Sequence, residues 1–244
     1  MPMKLCDIHT HVLPGVDDGA PDVDYALQML ENAVASDVEW LAVTPHCNVP
    51  NFEGNYRDEM LQKRFAQLQE AATAADIPVK LVLGAEVRVS DDLPTLLAQG
   101  RIPTLNGSRY VLTEFRSDAD KTAFLPALQG VLAAGYIPLV AHPERYAAVC
   151  RNPRIVEEWL DCGCHLQLTG GSLLGSYGRT VQRTAHTLLR RDFVACVASD
   201  AHGVHGRSNF LLDVYDHLHV HYSKAYANCL MCINPLRICR DETL

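Results

Sequence analysis

The sequence predicts an α/β fold with a parallel sheet, because seven short apolar segments alternate with segments of helical periodicity. The predicted strands are KLCDIHTHV, EWLAVTP, VKLVLGAEV, RYVLTEF, IPLVAHP, HLQLTG and FVACVASD, which start at residues 4, 39, 79, 109, 137, 165 and 193. Their nearly continuous apolar character fits strands that are buried on both faces. A closed barrel and an open doubly wound sheet both show this pattern.

Helices are predicted where apolar residues recur at helical spacing. They cover residues 22–37, 57–75, 121–134, 153–162 and 176–191, and the chain after Phe210 also reads as helical, with a break at Asn234-Pro235. The sequence has no evident linker, repeat or low-complexity tract. Residues 1–244 are therefore predicted to form a single domain, a common length for one α/β barrel.

Composition argues against several classes of protein. A net charge of −8 without a Lys/Arg run does not suit a basic surface for nucleic acid. It leaves a nuclease open, since bound metal ions would change the local field. No segment approaches the ~20 apolar residues of a membrane span. The nine scattered cysteines are expected to be reduced thiols of a cytoplasmic protein, and no room for a cleaved signal peptide precedes the first strand.

Potential metal ligands follow six of the seven predicted strands. His9 and His11 alternate at the end of the first strand, so both imidazoles should face the same side. The other strand ends contribute His46, Glu86, Glu114, then His142 with Glu144 and Arg145, and finally Asp200 with His202. The carboxyl ends of parallel strands meet at one edge, where active sites of α/β proteins lie. Histidines and carboxylates gathered there would repel one another or lose solvation unless a cation organised them.

The number and type of these side chains indicate more than one ion. A hydrolytic site with one zinc ion takes three protein ligands. At least seven candidates therefore imply two or three ions with a bridging carboxylate. Nitrogen and oxygen ligands without thiolate suit manganese, iron or zinc better than calcium.

Several of these motifs together resemble the polymerase-and-histidinol-phosphatase (PHP) superfamily, and more closely its CpsB-like branch of capsule and exopolysaccharide phosphatases. The motifs are DIHTHVLPGVDDG, TPH, GAEVRV, LTEF, AHPERY, LTGGSLLGSYG and ASDAH, in order between about residues 4 and 210. The H-x-H start is shared with amidohydrolase-type barrels, whereas GVDDG, HPER and GSLLG are more specific. The resemblance implies a distorted (β/α)7 TIM-like barrel, the PHP fold, with three divalent metal ions. Manganese is the first expectation, with iron or zinc as alternatives.

Matching motif to motif, the resemblance also implies roles for single residues. One ion would be held by His9, His11, Glu86 and Asp200, a second by Asp18, His46 and His202, and a third by Glu86 as bridge with Glu114 and His142. Asp17 is the alternative to Asp18, and Asp7 would orient an imidazole. Arg145 and Arg207 match the family's phosphate-contacting arginines. Either Asp200 or a metal-bound water is the candidate proton donor to the leaving group.

The activity implied by the resemblance is metal-dependent hydrolysis of phosphotyrosine in a protein. The implied partner is the phosphorylated, tyrosine-rich tail of a bacterial polysaccharide co-polymerase and autokinase. The alternatives are a small-molecule phosphatase of the histidinol-phosphatase type, a PHP-type nuclease, and a metal-binding protein without turnover. A cysteine-based phosphatase is not supported, because none of the nine cysteines has an arginine six positions later. His217, His219 and His221 alternate in sequence and are predicted to be surface residues that do not share a helix face.

Overall fold

The fold is described by a computed structural model over residues 4–50, 52 and 54–244. Within these residues nine strands form, and all of them pair in parallel. The strands are β1 (Leu5–Thr10), β2 (Val38–Val43), β3 (His46–Cys47), β4 (Lys80–Leu83), β5 (Glu86–Arg88), β6 (Tyr110–Glu114), β7 (Ile137–Ala141), β8 (His165–Thr169) and β9 (Cys196–Ala198). The predicted α/β class with parallel strands is confirmed.

Helices connect the strands and cover the outside of the sheet. They are α1 (Val23–Ala35), α2 (Glu59–Ala74), α3 (Leu93–Ala98), α4 (Lys121–Ala133), α5 (Ala147–Arg151), α6 (Glu157–Asp161), α7 (Gly170–Leu174), α8 (Arg179–Arg190), α9 (Leu212–His221), α10 (Lys224–Asn228) and α11 (Asn234–Cys239). The helices α1, α2 and α4 begin after Asp22, Asp58 and Asp120, whose carboxylates accept backbone N–H groups of the first turn. The predicted helix at residues 153–162 is a 3₁₀ turn that leads into α6.

The strands form two sheets, β1-β2-β4 and β3-β5-β6-β7-β8-β9. The short strand β3 follows the predicted strand EWLAVTP, and Pro45 separates β2 from β3 because it has no N–H for the ladder. Gly84 divides the predicted strand VKLVLGAEV into β4 and β5, and a Cβ there would lie 2.9 Å from Leu105 Cδ2. Backbone bonds continue across both breaks, from Gly84 N to Val43 O at 2.9 Å and from Glu86 N to Pro45 O at 3.1 Å. The two sheets are therefore joined by backbone hydrogen bonds into one curved parallel sheet.

The first and last strands meet at their carboxyl ends. His11 N donates to Ala201 O at 2.8 Å, and Asp200 N donates to His9 O at 2.9 Å. Thr10 and Ala201 also form an isolated parallel bridge. The parallel strands thus run from β1 to β9 in seven strand segments, and the end of β9 contacts β1 again. This is the distorted (β/α)7 arrangement that was predicted.

Aromatic packing supports the turn that follows β7. The Tyr146 ring stacks on the Phe124 ring with 5.7 Å between the ring centroids, and the centroids of Phe124 and Trp159 are 4.9 Å apart. The Tyr146 hydroxyl donates to Ala141 O at 2.7 Å and accepts from Phe115 N at 3.0 Å. Tyr146 therefore fixes the end of β7, where candidate site residues follow.

The C-terminal region differs from the sequence prediction in two details. The predicted break at Asn234-Pro235 is wrong, since a π turn at Cys229–Ile233 runs directly into α11. Pro235 lies just after the π turn, where the regular α-helical hydrogen-bond ladder is already interrupted. His217 and His221 do share a face of α9, with ring centroids 4.4 Å apart, because they are four residues apart. In the described part of the chain, no helix is both long and apolar enough to cross a membrane.

Candidate metal centre

Two buried imidazoles from β1 point towards each other. The Nε2 atoms of His9 and His11 are 3.2 Å apart. The other ring nitrogens face oxygens, with His9 Nδ1 at 2.8 Å from Gln167 Oε1 and His11 Nδ1 at 2.8 Å from Asp17 Oδ2. When Nδ1–H donates to these oxygens, both Nε2 lone pairs face the same small volume. This arrangement, with an outer hydrogen bond that fixes the tautomer, is the usual one for histidine that binds a metal.

Glu86 lies at the centre of the histidine cluster. Its Oε2 lies 3.3 Å from His9 Nε2, 3.3 Å from His11 Nε2 and 3.1 Å from His46 Nδ1. Its Oε1 lies 2.6 Å from His142 Nε2. Burial raises the pKa of Glu86, but the four imidazoles outweigh burial and hold that pKa well below its usual range. Glu86 is thus a carboxylate in contact with four potential ligands, as a bridging residue would be.

The first predicted ligand set is brought together as a group. Suitable ligand atoms of His9, His11, Glu86 and Asp200 all lie within 4.8 Å of one another. Asp200 Oδ1 is 3.5 Å from His9 Nε2 and 3.8 Å from His11 Nε2. Asp200 has a φ of +53°, a left-handed conformation that aspartate tolerates better than most residues. The contact between the ends of β1 and β9 therefore places the Asp200 carboxylate next to His9 and His11.

The second set also comes together, with His11 added to it. Asp18 Oδ1 lies 3.3 Å from His46 Nε2 and 3.4 Å from His202 Nε2. Asp17 faces the other way, because its Oδ2 accepts the His46 backbone N–H at 3.0 Å besides its contact with His11. The structure therefore groups Asp18 with these imidazoles and gives Asp17 an orienting contact.

The third group differs from the predicted set. Glu86 and Glu114 form a group with His46, whose Nδ1 lies 3.6 Å from Glu114 Oε1. His142 contacts Glu86 but is not part of a group with Glu114 among the described residues. Glu114 is also held by Arg88, which donates from Nε at 3.0 Å and from Nη2 at 2.9 Å. His46 therefore lies in this group, and the role of His142 as a ligand beside Glu86 and Glu114 stays a prediction.

The residues of the centre fit divalent cations. Among the described residues, the buried His142 Nδ1 has no hydrogen-bond partner. The buried His46 Nδ1 and His202 Nε2 make no well-aligned hydrogen bond, although oxygens of Glu86 and Asp18 lie 3.1 Å and 3.4 Å away. Buried polar atoms without a partner are costly, and a cation would pair with their lone pairs. Burial lowers the pKa of His11 and His46, but nearby carboxylates raise these pKa values to about 9 and about 11. The cluster thus has strong affinity for positive charge, whether protons or metal ions.

Cys47, next to His46, does not add a thiolate to this centre. Burial raises the pKa of its thiol to about 12. It packs among apolar residues that include Val87 and Val111. The donor set therefore stays one of nitrogen and oxygen, which suits manganese, iron or zinc.

Two arginines flank Asp200 at the opening of the centre. Arg145 Nη1 donates to Asp200 Oδ2, and Arg207 Nη2 donates to Asp200 Oδ1, both at 2.7 Å. Arg207 Nε is buried and has no hydrogen-bond partner among the residues that the structure describes. A cavity of about 370 Å³ lies beside Arg145, and its other lining residues include Arg88, Glu114, Arg116 and His142. Guanidinium groups in this position can bind a phosphoryl group next to the ligand groups.

Residues outside the predicted set also shape the centre. Gln167 is a polar residue inside the apolar strand HLQLTG, and this signal in the sequence could have identified it. Asp7 does not match its predicted contact with an imidazole, because its Oδ1 accepts the backbone N–H groups of Ser199 at 3.0 Å and His9 at 3.4 Å. The outer contacts to imidazoles come instead from Gln167 and Asp17.

Asp7→Asn should stabilise the metal-free protein more at pH 7.5 than at pH 5. Burial raises the pKa of Asp7 to about 6. Because the folded-state pKa lies above the usual value, ionised Asp7 costs stability, and this cost grows as the pH rises towards and through 6. Urea unfolding with chelator should show a gain that is larger by about 1 kcal/mol at the higher pH. Asp213→Asn, at an exposed position, is the control. An equal gain at both pH values would contradict the prediction.

The family model described as "Capsular polysaccharide synthesis, CpsB/CapC" matches residues 5–240. The chain belongs to this family. It is 33% identical to the tyrosine-protein phosphatase YwqE of Bacillus subtilis, over 84% of this chain and 80% of YwqE. It is 30% identical to the tyrosine-protein phosphatase CpsB of Streptococcus pneumoniae, over 98% of this chain and all of CpsB.

Solved structures within the CpsB/CapC family share the fold. The crystal structures of YwqE and CpsB, described as unique metal-dependent tyrosine phosphatases, include a chain that matches this one with a TM-score of 0.92 and 28% identity. The match covers 98% of this chain and 96% of that chain. The resemblance stated from the sequence motifs is therefore confirmed. The assignment of single ligands stays a prediction.

Proposed function

We propose that this CpsB/CapC-family protein is a metal-dependent protein-tyrosine phosphatase. The observation that carries the proposal is the contact of Asp200 with both sides of the site. Its carboxylate lies among the imidazoles of His9 and His11 and also accepts hydrogen bonds from Arg145 and Arg207. A phosphoryl group bound by the arginines would therefore lie next to the metal-ligand groups.

The proposed cofactor is three divalent ions, with manganese first and iron or zinc as alternatives. The proposed ligands are His9, His11, Asp18, His46, Glu86, Glu114, His142, Asp200 and His202. When bound, the ions neutralise the phosphoryl group and lower the pKa of a water nucleophile towards neutrality. Three overlapping groups of ligand atoms support a centre with several ions, since two groups share Glu86 and two share His46.

The chain's own residues bind and orient the phosphoester. The guanidinium groups of Arg145 and Arg207 match the phosphoryl oxygens in charge and shape. A tyrosine phenolate, with a pKa of about 10, leaves with less acid assistance than a serine alkoxide. Burial raises the pKa of Asp200, but His9 and His142 outweigh it and hold the pKa well below its usual range. Asp200 thus has no proton to give near neutral pH, and we assign it to metal binding and arginine orientation instead of proton donation.

The proposed substrate is phosphotyrosine on the tail of a polysaccharide co-polymerase and autokinase. The family's link to capsular polysaccharide synthesis supports this partner. The polar cavity of about 370 Å³ beside Arg145 offers room for side chains near the phosphotyrosine. We also propose one domain over residues 1–244 and a cytoplasmic location, which the nine free thiols support.

Purified protein loaded with manganese should release phosphate from a phosphotyrosine peptide. It should act far less on the matched phosphoserine peptide and on histidinol phosphate, and chelator should remove the activity. Reloading with manganese should restore it. Preference for histidinol phosphate would move the function to small-molecule metabolism. Inactivity on all three substrates, with bound metal verified by elemental analysis, would refute the phosphatase proposal.

A further inference from the structure

The loop between α7 and α8 is built around the ring of Tyr177. Gly175 and Gly178 flank this segment with a φ of +89° each, which glycine adopts without strain. A Cβ at Gly171 would lie 3.3 Å from Tyr177 Cε2, so glycine gives the ring its space. The Tyr177 side chain is half-buried as a result.

The Arg145 guanidinium lies over the face of the Tyr177 ring. Arg145 Cζ is 4.7 Å from the ring centroid, within the range of a cation–π contact. One edge of the same guanidinium donates to Asp200 at 2.7 Å. The guanidinium is thus held by an aromatic ring and by a carboxylate. Its side chain is still 27% exposed, so donors remain available to a ligand.

Two further contacts relate this loop to the arginines. Glu144 is fully buried, and its Oε1 accepts the Thr169 backbone N–H at 3.0 Å, which ties the turn carrying Arg145 to the start of α7. The Tyr177 hydroxyl also lies beside Arg207. The ring therefore spans the two arginines that flank Asp200.

We propose that Tyr177 is a positioning residue for phosphoryl binding, which acts by holding the Arg145 guanidinium against Asp200. This inference rests on the proposed phosphatase function. The ring face makes the contact with Arg145, so phenylalanine should substitute for tyrosine, whereas a leucine of similar bulk should not. Tyr177 acts through Arg145 in this view and needs no contact with the reacting atoms.

A double-mutant cycle tests this dependence on Arg145. With p-nitrophenyl phosphate and manganese, Tyr177→Leu should lower kcat/KM by about tenfold, mainly through a higher KM. Tyr177→Phe should stay within about threefold of the wild type. In the Arg145→Ala background, Tyr177→Leu should change kcat/KM by less than about twofold, because the group it positions is gone. Additive losses in the double variant, or equal losses with Phe and Leu, would overturn the proposal.

Two other variants separate positioning from folding. Gly171→Ala keeps Tyr177 but crowds its ring, and should give a smaller loss that also disappears in the Arg145→Ala background. Phe193→Leu removes a ring beside another arginine, Arg191, with Cζ 5.9 Å from the centroid, and should leave KM unchanged. Metal content and circular dichroism identify any variant that fails to fold, and the cycle then relies on Gly171→Ala.

Binding of inorganic phosphate separates failure of this inference from failure of the proposed function. Calorimetry on the manganese-loaded wild type and the same variants should show weaker binding for Tyr177→Leu only when Arg145 is present. A wild-type protein that binds phosphate but hydrolyses no phosphoester would refute the phosphatase function, and the cycle in phosphate affinity would still decide the role of Tyr177. Equal phosphate affinity of the wild type and Tyr177→Leu would overturn that role.

Discussion

His9→Ala should abolish phosphatase turnover and leave the fold intact. The His9 Nε2 lone pair faces the volume shared by His11, Glu86 and Asp200, and its ring is oriented by Gln167. Alanine removes this nitrogen from the group of ligand atoms around the proposed first ion. We expect kcat to fall by about 10³-fold or more, because neutralisation of the phosphoryl charge is lost. Asp200→Ala should have an effect of similar size.

The measurement is phosphotyrosine hydrolysis at saturating manganese, together with metal content and circular dichroism. His219→Ala is a matched control, since His219 lies exposed on α9. It should keep wild-type activity and metal content. Near-full activity of His9→Ala with metal present would show that the centre is assigned to the wrong residues.

Glu86→Gln should remove more than one ion from the protein. The Glu86 carboxylate contacts four imidazoles and belongs to two of the three ligand groups. Glutamine keeps the shape but loses the negative charge and one of the two metal-binding oxygens. We therefore expect a fall in kcat of about 10³-fold or more.

A second effect of Glu86→Gln should appear in the metal-free protein. The same carboxylate helps to raise the pKa values of His11 and His46. Without it, those pKa values should fall, and NMR titration of the imidazoles would detect the shift. Glu70→Gln, at an exposed position on α2, is the control for the change in net charge. Full metal content in Glu86→Gln would contradict a bridging role.

Much of the site could be predicted because the sequence shows where each apolar strand ends and which polar residues stand there. Alternation within β1 places His9 and His11 on one side, and parallel pairing brings Glu86, Asp200 and the other strand ends to the same edge. These inferences need only the direction of each strand and the two-residue period of its side chains.

Other features of the site depend on loop conformations and on the angles between secondary-structure elements, which cannot be predicted from local sequence patterns. Asp17 and Asp18 are neighbours, and only the loop conformation decides which one faces His46 and His202. The position of His46 beside Glu114 reflects the bend at Pro45, which carries His46 from one sheet into the other. The Tyr177–Arg145 contact joins two loops and likewise has no local signal.

The joining of β1 to the end of β9 has a consequence for the order of biosynthesis. Ser199 Oγ bonds the backbone oxygen of His9 across 190 residues of sequence. The first histidines leave the ribosome long before Asp200 and His202 exist, so a growing chain cannot assemble the complete ion site. Ion uptake should therefore follow chain completion. Because metal ions bind preferentially to the native state, uptake should also hold the first and last strands together and slow amide hydrogen exchange where they meet.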